Sequence, residues 1–599
     1  MTGSVTVIAN TLPEDVKLLQ RPFQEDSAFA HFVVNATDAD DVASMRKALS
    51  TRKFCVPVHE LRSSSRGEPF RVIVGSNASE LSMPEVALFP NHAHQTYAGA
   101  ASLRKTTMLS LRRIRTAWIV GTIPCAAALS ASCGMVPGDG MGNMHGRLPA
   151  AEVIAPAPWP GSLSVPTVAD DNPDPNVVEV SLRAAPTEVE YVPGRRTQAW
   201  AYNGSVPGPT IRAKVGDEII VHFSNRLPEP TTIHWHGVRV PSSMDGTVMM
   251  QQPVQPGSTF DYRFKALDAG TFWYHPHIRS DVQVDKGLYG TIVIDEPNEP
   301  AIPAVADEIV VLDDVLVDGP SGSPMSTGMG GMMGMGMGGG MRMGQEGNFI
   351  LVDGARANVE LAVRAGEVRR WRFVNTANAR FFRLALSGGT MIRIGSDAGL
   401  LARPHAVSEI LLVNGQREDV LVSVNQSGTT AVLQALPYAR AMGMTSSGPI
   451  HLIRLVANTE PAATPPALPD PLRNVTAPAQ PVKARSLRLG ERMSHGGWVF
   501  TINGAAYPNV PVIDSSVGDA ETWQIVNETE MDHPFHLHGF FFWVPSGKEW
   551  RDTVNIPANA TVALQPYFDP RPGAGGSWAY HCHILEHAEA GMMGEVRVR

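Results

Sequence analysis

Residues 216–225 read GDEIIVHFSN, a glycine and a strand-like run that ends in asparagine, and this pattern returns twice along the chain. Residues 366–375 read GEVRRWRFVN and residues 518–527 read GDAETWQIVN, so successive copies begin 150 and 152 residues apart. A turn dipeptide precedes each copy, at Asn203-Gly204, Asp353-Gly354 and Asn503-Gly504. A period of this length is too long for a solenoid unit and suits a whole β-sandwich. The sequence therefore predicts one domain that is repeated three times.

Composition agrees with several β domains. The chain has 599 residues, of which 43% are hydrophobic and 18% charged, and this excludes wholesale disorder. The 55 Gly and 48 Pro favour many short strands joined by turns. We expect an all-β chain of three Greek-key β-sandwich domains. A net charge of -9 leaves no basic surplus, so nucleic acid is excluded as a partner.

Proline-rich stretches separate the repeats. We predict linkers at 134–173 and 461–482, and sandwich domains at 174–300, 301–460 and 483–599. Within the second domain, residues 325–343 contain eight Met among many Gly and show no apolar periodicity. This tract is predicted to be a loop.

Residues 108–133, MLSLRRIRTAWIVGTIPCAAALSASC, have the pattern of an export signal: a basic cluster, a short apolar run and small residues. The apolar run is too short to be a transmembrane segment. Arg112 and Arg113 suit the twin-arginine route. We expect a cleaved signal and a periplasmic or cell-surface protein, with a lipid anchor at Cys133 as the alternative.

A signal cannot act from the middle of a chain, which makes residues 1–107 unusual. The simplest hypothesis is that translation starts at Met108 and that 1–107 is an extension outside the native protein. The alternative is a small cytosolic domain with one helix-like stretch, Asp38–Ser50.

Histidines occur in pairs that strands would present on one face. Five His-x-His pairs are present, and four lie in the repeats: His234/His236, His275/His277, His536/His538 and His581/His583. Residues i and i+2 of a strand project from the same face, so each pair offers two imidazoles to one point. Imidazole is a good ligand for copper, zinc and iron. Four such pairs predict a metal centre.

Repeat alignment shows which domains supply these ligands. Nine and eleven residues beyond the final asparagine of the pattern lie His234 and His236 in the first repeat, and His536 and His538 in the third. The middle repeat has Leu384 and Leu386 there. The eight paired imidazoles should therefore meet in a cleft between the first and third domains.

Cys582 lies in HCHILEHAEAGMM, at residues 581–593. A lone cysteine is by itself usually a small buried hydrophobe. Together with His533, His587 and a weak thioether from Met592, however, its thiolate forms the ligand set of a blue-copper electron-transfer site.

Cys582 also links this site to the histidine pairs. His581 and His583 flank it and should point to the opposite face of the strand, which would couple the two metal sites through short backbone paths. The first repeat has Thr231 and Pro276 at the positions that match His533 and Cys582, so it should hold no blue-copper site.

The motifs HWHG, HPH, HPFHLHG and HCH-x3-H-x4-M together resemble those of the multicopper oxidase family, which includes laccases and copper-efflux oxidases. The resemblance covers nearly everything after about residue 174. It implies three cupredoxin domains, a type 1 copper that takes single electrons from a substrate, and a trinuclear copper cluster that reduces dioxygen to water. It implies four copper ions per chain in total.

Carried over residue by residue, the resemblance implies a full ligand set. The type 1 ligands would be His533, Cys582, His587 and axial Met592. The type 2 ligands would be His234 and His536, and the type 3 ligands His236, His275, His277, His538, His581 and His583.

The resemblance also implies acids that supply protons. Asp245, eleven residues after His234, matches the family's acid near the cluster, although the Asp-Gly dipeptide also suits a simple turn. The family's second acid is replaced by Ala588, with Glu586 and Glu589 as candidate substitutes.

The reducing substrate is predicted to be Cu(I) or another metal ion, because thioethers favour Cu(I) and the 325–343 tract is rich in them. Met531 matches a substrate-copper methionine of copper-efflux oxidases, but Thr529 stands where those oxidases carry Asp, so Glu530 or Asp532 would have to compensate. The alternatives are laccase-like oxidation of phenols and, from another class, a copper store or carrier without turnover.

Overall fold

The computed structural model describes residues 163–192, 195–298, 300–318, 323–324, 342–357, 359–441, 448–495 and 497–599, together with four strands between residues 18 and 90. The predicted signal at 108–133, the helix-like stretch Asp38–Ser50 and most of the Met-rich tract lie outside the described residues. The chain divides into two compact units, Met1–Val136 and Pro137–Arg599.

The first unit contains a four-stranded antiparallel sheet in the order β1-β2-β3-β4. Its strands are β1 (Leu18–Gln20), β2 (Phe29–Val34), β3 (Phe70–Gly75) and β4 (Val86–Pro90). Within the part of 1–107 that the structure describes, the regular secondary structure consists of strands alone.

The first repeat forms two four-stranded sheets, in the orders β10-β8-β5-β6 and β7-β12-β11-β9. Its strands are β5 (Val177–Val192), β6 (Arg195–Tyr202), β7 (Gly208–Lys214), β8 (Glu218–Asn225), β9 (His234–His236), β10 (Thr259–Lys265), β11 (Gly270–His275) and β12 (Gly290–Asp295). A 3-10 turn covers Ser242–Met244, and a short helix, α1, covers Ser280–Gln283.

The middle repeat forms a seven-stranded sheet, β17-β16-β13-β19-β24-β21-β22, a five-stranded sheet, β18-β26-β25-β20-β23, and a β14-β15 hairpin. Its strands are β13 (Ala306–Val315), β14 (Val317–Asp318), β15 (Ser323–Pro324), β16 (Phe349–Val352), β17 (Ala355–Arg356), β18 (Val359–Val363), β19 (Arg369–Asn375), β20 (Phe382–Ser387), β21 (Gly389–Ser396), β22 (Gly399–Val407), β23 (Glu409–Leu412), β24 (Arg417–Val424), β25 (Thr430–Leu436) and β26 (Ile450–Ala457).

The third repeat forms a six-stranded sheet, β28-β27-β30-β35-β32-β33, and a five-stranded sheet, β29-β37-β36-β31-β34. Its elements are β27 (Lys483–Ser494), β28 (Gly497–Ile502), β29 (Ile513–Ser515), β30 (Glu521–Asn527), β31 (His533–Leu537), β32 (Phe542–Val544), β33 (Glu549–Arg551), β34 (Thr553–Ile556), β35 (Thr561–Pro566), β36 (Gly576–Cys582), helix α2 (Leu585–Glu589) and β37 (Met593–Val598).

The repeated sequence pattern builds the same local structure three times. In each repeat the patterned strand, β8, β19 or β30, pairs in parallel with the first long strand of that repeat. The asparagine that ends it turns its side-chain amide onto two backbone carbonyls, as Asn225, Asn375 and Asn527 all do. These bonds hold the loop that leads into the next strand, which explains why the asparagine recurs.

The turn dipeptides also repeat for a physical reason. Both residues of each dipeptide have positive φ, for example 52° at Asn203 and 80° at Gly204. A two-residue hairpin turn with positive φ at both central positions favours Asn-Gly or Asp-Gly. The three dipeptides therefore indicate the turn conformation directly.

The first and third repeats share one hydrophobic core, whereas the middle repeat has its own. One contiguous core cluster contains the inward faces of both the first and the third repeat, with Trp235 and Trp578 among its members. The middle repeat has a separate cluster around Trp371 and Phe373. The two outer repeats therefore meet each other closely. Within the described part of the chain, none of the helices has the length and apolar character needed to cross a membrane.

Candidate metal centre

Strand pairing brings the histidine pairs opposite one another. In the first repeat, β9 lies antiparallel to β11, which sets His234 directly across from His275. In the third repeat, β31 lies antiparallel to β36, which sets His536 across from His581. Because residues i and i+2 share a strand face, each pairing doubles the number of imidazoles at one end of a sheet.

The two groups of imidazoles meet between the outer repeats. His234 stacks on His538 with ring centroids 3.8 Å apart, and His236 stacks on His536 at the same separation. His583 lies 4.9 Å from His236, and His277 lies 5.1 Å from His581, measured between ring centroids. Except for half-buried His277, the eight rings are buried. The structure therefore brings all eight predicted residues together.

The ring nitrogens fall into two classes. In four of the eight rings, one nitrogen donates to a backbone carbonyl at 2.9 Å: His234 to Asp245, His275 to Pro276, His536 to Asp552 and His581 to Cys582. The opposite nitrogen is buried without a hydrogen-bond partner in His234, His236, His275 and His536, as are both nitrogens of His583.

Orphaned buried nitrogens are rare because an unpaired buried polar atom is costly. Two candidate metal-holding groups contain such nitrogens: His234, His236 and His275 form one, and His234, His536 and His538 form the other, while His277, His538 and His581 form a third group. In His234, His275, His536 and His581, the hydrogen bond to a backbone carbonyl fixes the tautomer and the direction of the ring, as ligands to a metal require. The donor set fits copper ions bound by imidazole.

Burial lowers the pKa of seven of these eight imidazoles and so keeps those seven neutral. Loss of hydration lowers the pKa of His277 to about 3, and neighbouring imidazoles add to the effect. Burial likewise depresses the pKa of six further rings, those of His236, His275, His536, His538, His581 and His583. A neutral imidazole has the free lone pair that a metal needs.

A second group of donors lies on the other face of β36. Cys582 Sγ is 3.4 Å from His533 Nδ1 and 3.7 Å from His587 Nδ1, and those two nitrogens are 3.3 Å apart. This compact triangle of one thiol and two imidazoles is buried. Burial lowers the pKa of His533 to about 3 and raises that of the Cys582 thiol. A bound cation would therefore displace the thiol proton.

Both predicted methionines are buried beside this triangle. Met592 has no exposed surface, its carbonyl accepts from the Cys582 N–H at 3.1 Å, and its own N–H donates to His587. Met531 is also fully buried, within the core that the outer repeats share. Thr529 accepts from His533 Nε2 at 2.8 Å.

The acids near Met531 are already occupied. Asp532 accepts hydrogen bonds from the Tyr438 hydroxyl, Asn555 and the Ala558 N–H. Glu530 is half exposed and lies 3.6 Å from the Arg342 guanidinium. In the first repeat, the buried hydroxyl of Thr231, which matches His533, donates to Gln283 at 2.7 Å.

Asp245 lies against the imidazole cluster. The Asp245 carboxylate accepts from His538 Nδ1 at 3.0 Å and lies 3.3 Å from His234 Nδ1. The next residue, Gly246, has a positive φ of 82°. Gly246 is required there because a Cβ would overlap the Ile233 carbonyl. The turn and the contact with histidines therefore coexist.

The two candidate substitutes for the acid missing at Ala588 differ. Glu589 accepts from both the N–H and the hydroxyl of Ser280, which ties α2 to α1. Glu586 is buried, and burial raises its pKa to about 7, with Asp281 adding to the effect. One of its carboxylate oxygens has no hydrogen-bond partner.

Sequence reasoning missed Asp552. This buried carboxylate accepts from His236 Nε2 at 3.3 Å and, with His236 and His536, forms another of the candidate metal-holding groups. Asp552 lies between β33 and β34, outside any His-x-His pattern. Its importance depends on contacts between distant parts of the chain, which no local spacing reports.

These two groups of donors, joined through β36, are typical of a copper protein with a thiolate site and an imidazole cluster. Models of the multicopper oxidase family match residues 183–299, 309–440 and 475–599. The chain belongs to the multicopper oxidase family, and its all-β fold of three cupredoxin-like β-sandwich domains is confirmed. Membership in this family implies copper binding and oxidoreductase activity with dioxygen.

Three relatives illustrate the range of the family. The multicopper oxidase MmcO of Mycobacterium tuberculosis is 32% identical, over 69% of this chain and 86% of its own. A laccase of Bacillus subtilis is 26% identical, over 66% of this chain and 89% of its own. The solved structure of a multicopper oxidase from Campylobacter jejuni, described as a metallo-oxidase, is 28% identical with a TM-score of 0.65, and covers 74% of this chain and 96% of that one.

Proposed function

We propose that the protein takes single electrons from Cu(I) or another metal ion at a type 1 copper and delivers four of them to dioxygen at a trinuclear copper cluster, producing water. Four copper ions per chain would be held by the predicted ligands, with Met592 among those of the type 1 site. The observation that carries this proposal is the position of Cys582: its thiol lies with His533 and His587, while His581 and His583, its chain neighbours, belong to the imidazole cluster.

The side chains divide the work by position. Copper, when bound, supplies the reversible one-electron chemistry that side chains lack. Cys582 offers two short covalent routes, through the backbone to His581 and to His583, so the electron never has to cross solvent. Burial around Cys582, His581 and His583 excludes water and lowers the pKa of these two imidazoles, which keeps them neutral.

Asp245 is assigned to proton handling near the cluster. Its carboxylate is held by His538 Nδ1 at 3.0 Å and faces His234 Nδ1 at 3.3 Å, which positions it beside two ligands. Reduction of dioxygen to water consumes protons, and a buried carboxylate next to the site can pass them inward.

A metal ion is proposed as the substrate because the end of the Met-rich tract lies beside the type 1 ligands. His587 Nε2 donates to the Arg342 carbonyl at 3.0 Å, so the last residues of the 325–343 tract lie directly against a type 1 ligand. The Arg342 guanidinium is clasped by the Glu491 carboxylate, with Nη2 and Oε1 2.6 Å apart. The described end of the tract, which includes Met343, therefore lies close to where electrons must arrive, and the thioethers that are frequent in the tract sequence favour Cu(I).

Oxygen consumption with different donors tests the proposal. The copper-loaded protein should consume oxygen when supplied with Cu(I), and faster than with a phenol. A preference for a phenol over Cu(I) would support the laccase alternative. Copper binding without any oxygen consumption would identify a store or carrier.

The role of the tract can be isolated by deletion of residues 325–341, which leaves the Arg342 clasp intact. This deletion should reduce Cu(I) oxidation more than phenol oxidation. A matched variant in which the seven methionines of 325–341 become leucine keeps the length and apolar character but removes the thioethers. It should show the same selective loss, whereas equal losses with both donors would contradict a metal-gathering role.

Export is proposed from residues 108–133. The basic and apolar pattern predicts cleavage after the apolar run and delivery outside the cytoplasm, with Cys133 as a lipidation site in the alternative. Mass analysis of the protein purified from its native host would identify the mature N-terminus, which also decides whether residues 1–107 are retained.

A further inference from the structure

Arg417 connects all three repeats beneath the imidazole cluster. This residue of the middle repeat begins β24, is completely buried, and uses all five of its guanidinium N–H donors. Nε donates to the Thr271 carbonyl in the first repeat at 3.0 Å. Nη1 and Nη2 donate to the Gly415 and Asp397 carbonyls in its own repeat, each at 2.9 Å.

The two remaining N–H groups grip Asp552 in the third repeat. Nη1 donates to Oδ1 at 2.8 Å and Nη2 donates to Oδ2 at 2.5 Å, which is the bidentate geometry that suits arginine and carboxylate. A lysine could not satisfy these five acceptors. The position of the Asp552 carboxylate is therefore set by a residue from a domain that supplies none of the predicted copper ligands.

Asp552 in turn contacts two cluster histidines from behind. Its Oδ1 accepts from His236 Nε2 at 3.3 Å and lies 3.5 Å from His536 Nδ1, while its backbone carbonyl accepts from His536 Nδ1 at 2.9 Å. The orphaned nitrogens of these rings, His236 Nδ1 and His536 Nε2, face the other way. The Asp552 carboxylate thus holds His236 of the first repeat, and the Asp552 backbone carbonyl holds His536 of the third.

A glycine in the HWHG motif makes room for this pair. At Gly237, φ is 84°, and a Cβ would lie 2.3 Å from Arg417 Nη2 and 2.7 Å from Asp552 Oδ2. A glycine of the middle repeat plays a related part, since a Cβ on Gly415 would lie 2.9 Å from both His236 Cε1 and His583 Cδ2. Backbone approaches closely at both places because no side chain intervenes.

We propose that Arg417 and Asp552 are positioning residues of the imidazole cluster: the middle repeat, through this ion pair, orients His236 and His536 and so determines how tightly the cluster holds copper. The inference rests on the proposed function. It extends that function by giving the repeat without copper ligands a defined task in the oxygen-reducing site. Groups that orient ligand histidines generally affect metal affinity by about 10- to 100-fold.

The test uses the full chain loaded with copper. Asp552→Asn keeps the size of the side chain but weakens the grip of Arg417, and Arg417→Gln removes the guanidinium. In both variants, competition with a chelator should show about 10- to 100-fold weaker copper binding at the cluster, and the type 2 electron paramagnetic resonance signal should change. The blue absorption of the type 1 site should remain, because Cys582, His533 and His587 do not contact the pair.

Arg372→Gln is the matched control. Arg372 is also a buried arginine of the middle repeat that reaches Thr271, donating to its hydroxyl at 3.1 Å, and it pairs with Asp307 at 2.7 and 2.8 Å. None of these partners contacts a cluster histidine among the described residues. This variant should lose stability yet retain wild-type copper affinity and the type 2 signal.

A double variant guards against simple misfolding. Removing one partner leaves a buried charge unpaired, whereas Arg417→Met with Asp552→Leu removes both charges, and such replacements often leave a fold stable. This variant should fold, keep the blue band and still bind cluster copper weakly. Arg417→Lys should retain part of the affinity.

Three results would overturn the inference. They are wild-type cluster affinity and type 2 signal in Asp552→Asn or in the double variant, equal copper loss in Arg372→Gln, and failure of the double variant to fold, which would make the pair merely structural. Absence of cluster copper in the wild-type protein itself would instead refute the proposed function.

Discussion

The strand that follows the patterned asparagine has opposite character in the outer and the middle repeats. In the outer repeats it carries His234 and His236 or His536 and His538, all buried where the two domains meet. In the middle repeat the same positions are Leu384 and Leu386, and Leu384 is buried in that domain's own core. The same backbone position therefore serves a metal site or a hydrophobic core, according to what packs against it.

The middle repeat lacks these histidines but contacts the cluster through other residues. Its contribution to the cluster comes from a different strand, through Arg417, and from the close approach of Gly415 to His236 and His583. In place of paired histidines, the middle repeat contributes a buried arginine. The three repeats thus divide into two that carry the paired histidines and one that packs against them through Arg417 and Gly415.

The largest effect is expected at Cys582, whose matching residue in the first repeat is Pro276. Cys582→Ser should abolish both the blue absorption and turnover, because an alcohol cannot replace the thiolate of a type 1 site. Visible absorption and oxygen consumption are the measurements. Thr231→Ser, at the first-repeat position that matches His533, should leave both unchanged. A variant that kept its blue band without Cys582 would refute the type 1 assignment.

The second prediction replaces the paired histidines of the third repeat by the leucines that the middle repeat has at the same positions. His536→Leu combined with His538→Leu should remove copper from the cluster and stop oxygen consumption, since two imidazoles are lost. The blue band should persist, because His533, Cys582 and His587 are untouched. Copper analysis and visible absorption distinguish the two sites, and full copper content in this variant would contradict the predicted ligand set.

In the copper-free protein, acid should act against the buried histidines of the outer repeats. The pKa values of His277 and His533 are lowered to about 3, so the unfolded chain takes up protons that the folded rings refuse. Stability should therefore fall from about pH 6.5 downward, by about 1.4 kcal/mol per pH unit for each such ring.

The middle repeat has the opposite dependence. Burial raises the pKa of Asp353 and of Asp313 from 3.8 to about 7, so their contribution to stability is fully present below about pH 4 and is lost progressively as the pH rises to about 7. Urea unfolding across this range would measure both effects. Copper loading should flatten the acid limb by holding the imidazoles deprotonated, and an acid limb unaffected by copper would contradict the interpretation.

A smaller effect is expected from the reverse exchange. Leu384→His places an imidazole in the core of the middle repeat, where the described surroundings are apolar. The buried polar group and the lost packing should reduce the free energy of unfolding by about 3 kcal/mol. Leu384→Met should cost less than about 1.5 kcal/mol. Equal stability of the two variants in urea would show that this position tolerates polarity.

Much of the fold and of the site could be predicted because its signals are local. The glycine-to-asparagine pattern gave three similar β domains, and the spacing of two within each histidine pair follows from the alternation of a strand. Asp245 and Met592 were found through motif positions. Each of these inferences needs only the geometry of a few consecutive residues.

Other residues could not be predicted, because their role depends on distant partners. Asp552 and Arg417 are 135 residues apart and sit in no motif, yet they grip each other. Glu589 could not be separated by sequence from Glu586, although one ties α2 to Ser280 and the other has an oxygen without a partner. Asp532, a candidate to compensate for Thr529, is fully engaged by Tyr438, Asn555 and Ala558.

The sequence alone determined the number of domains, the kind of metal ligands and the adjacency of Cys582 to His581 and His583, since repetition, side-chain chemistry and covalent order are all written along the chain. Only the tertiary structure decided which nitrogen of each ring faces the cluster and which groups stand behind it. Those features arise where strands from separate repeats pack together, and burial there makes every unpaired polar atom costly, so position and partner are fixed at the same time.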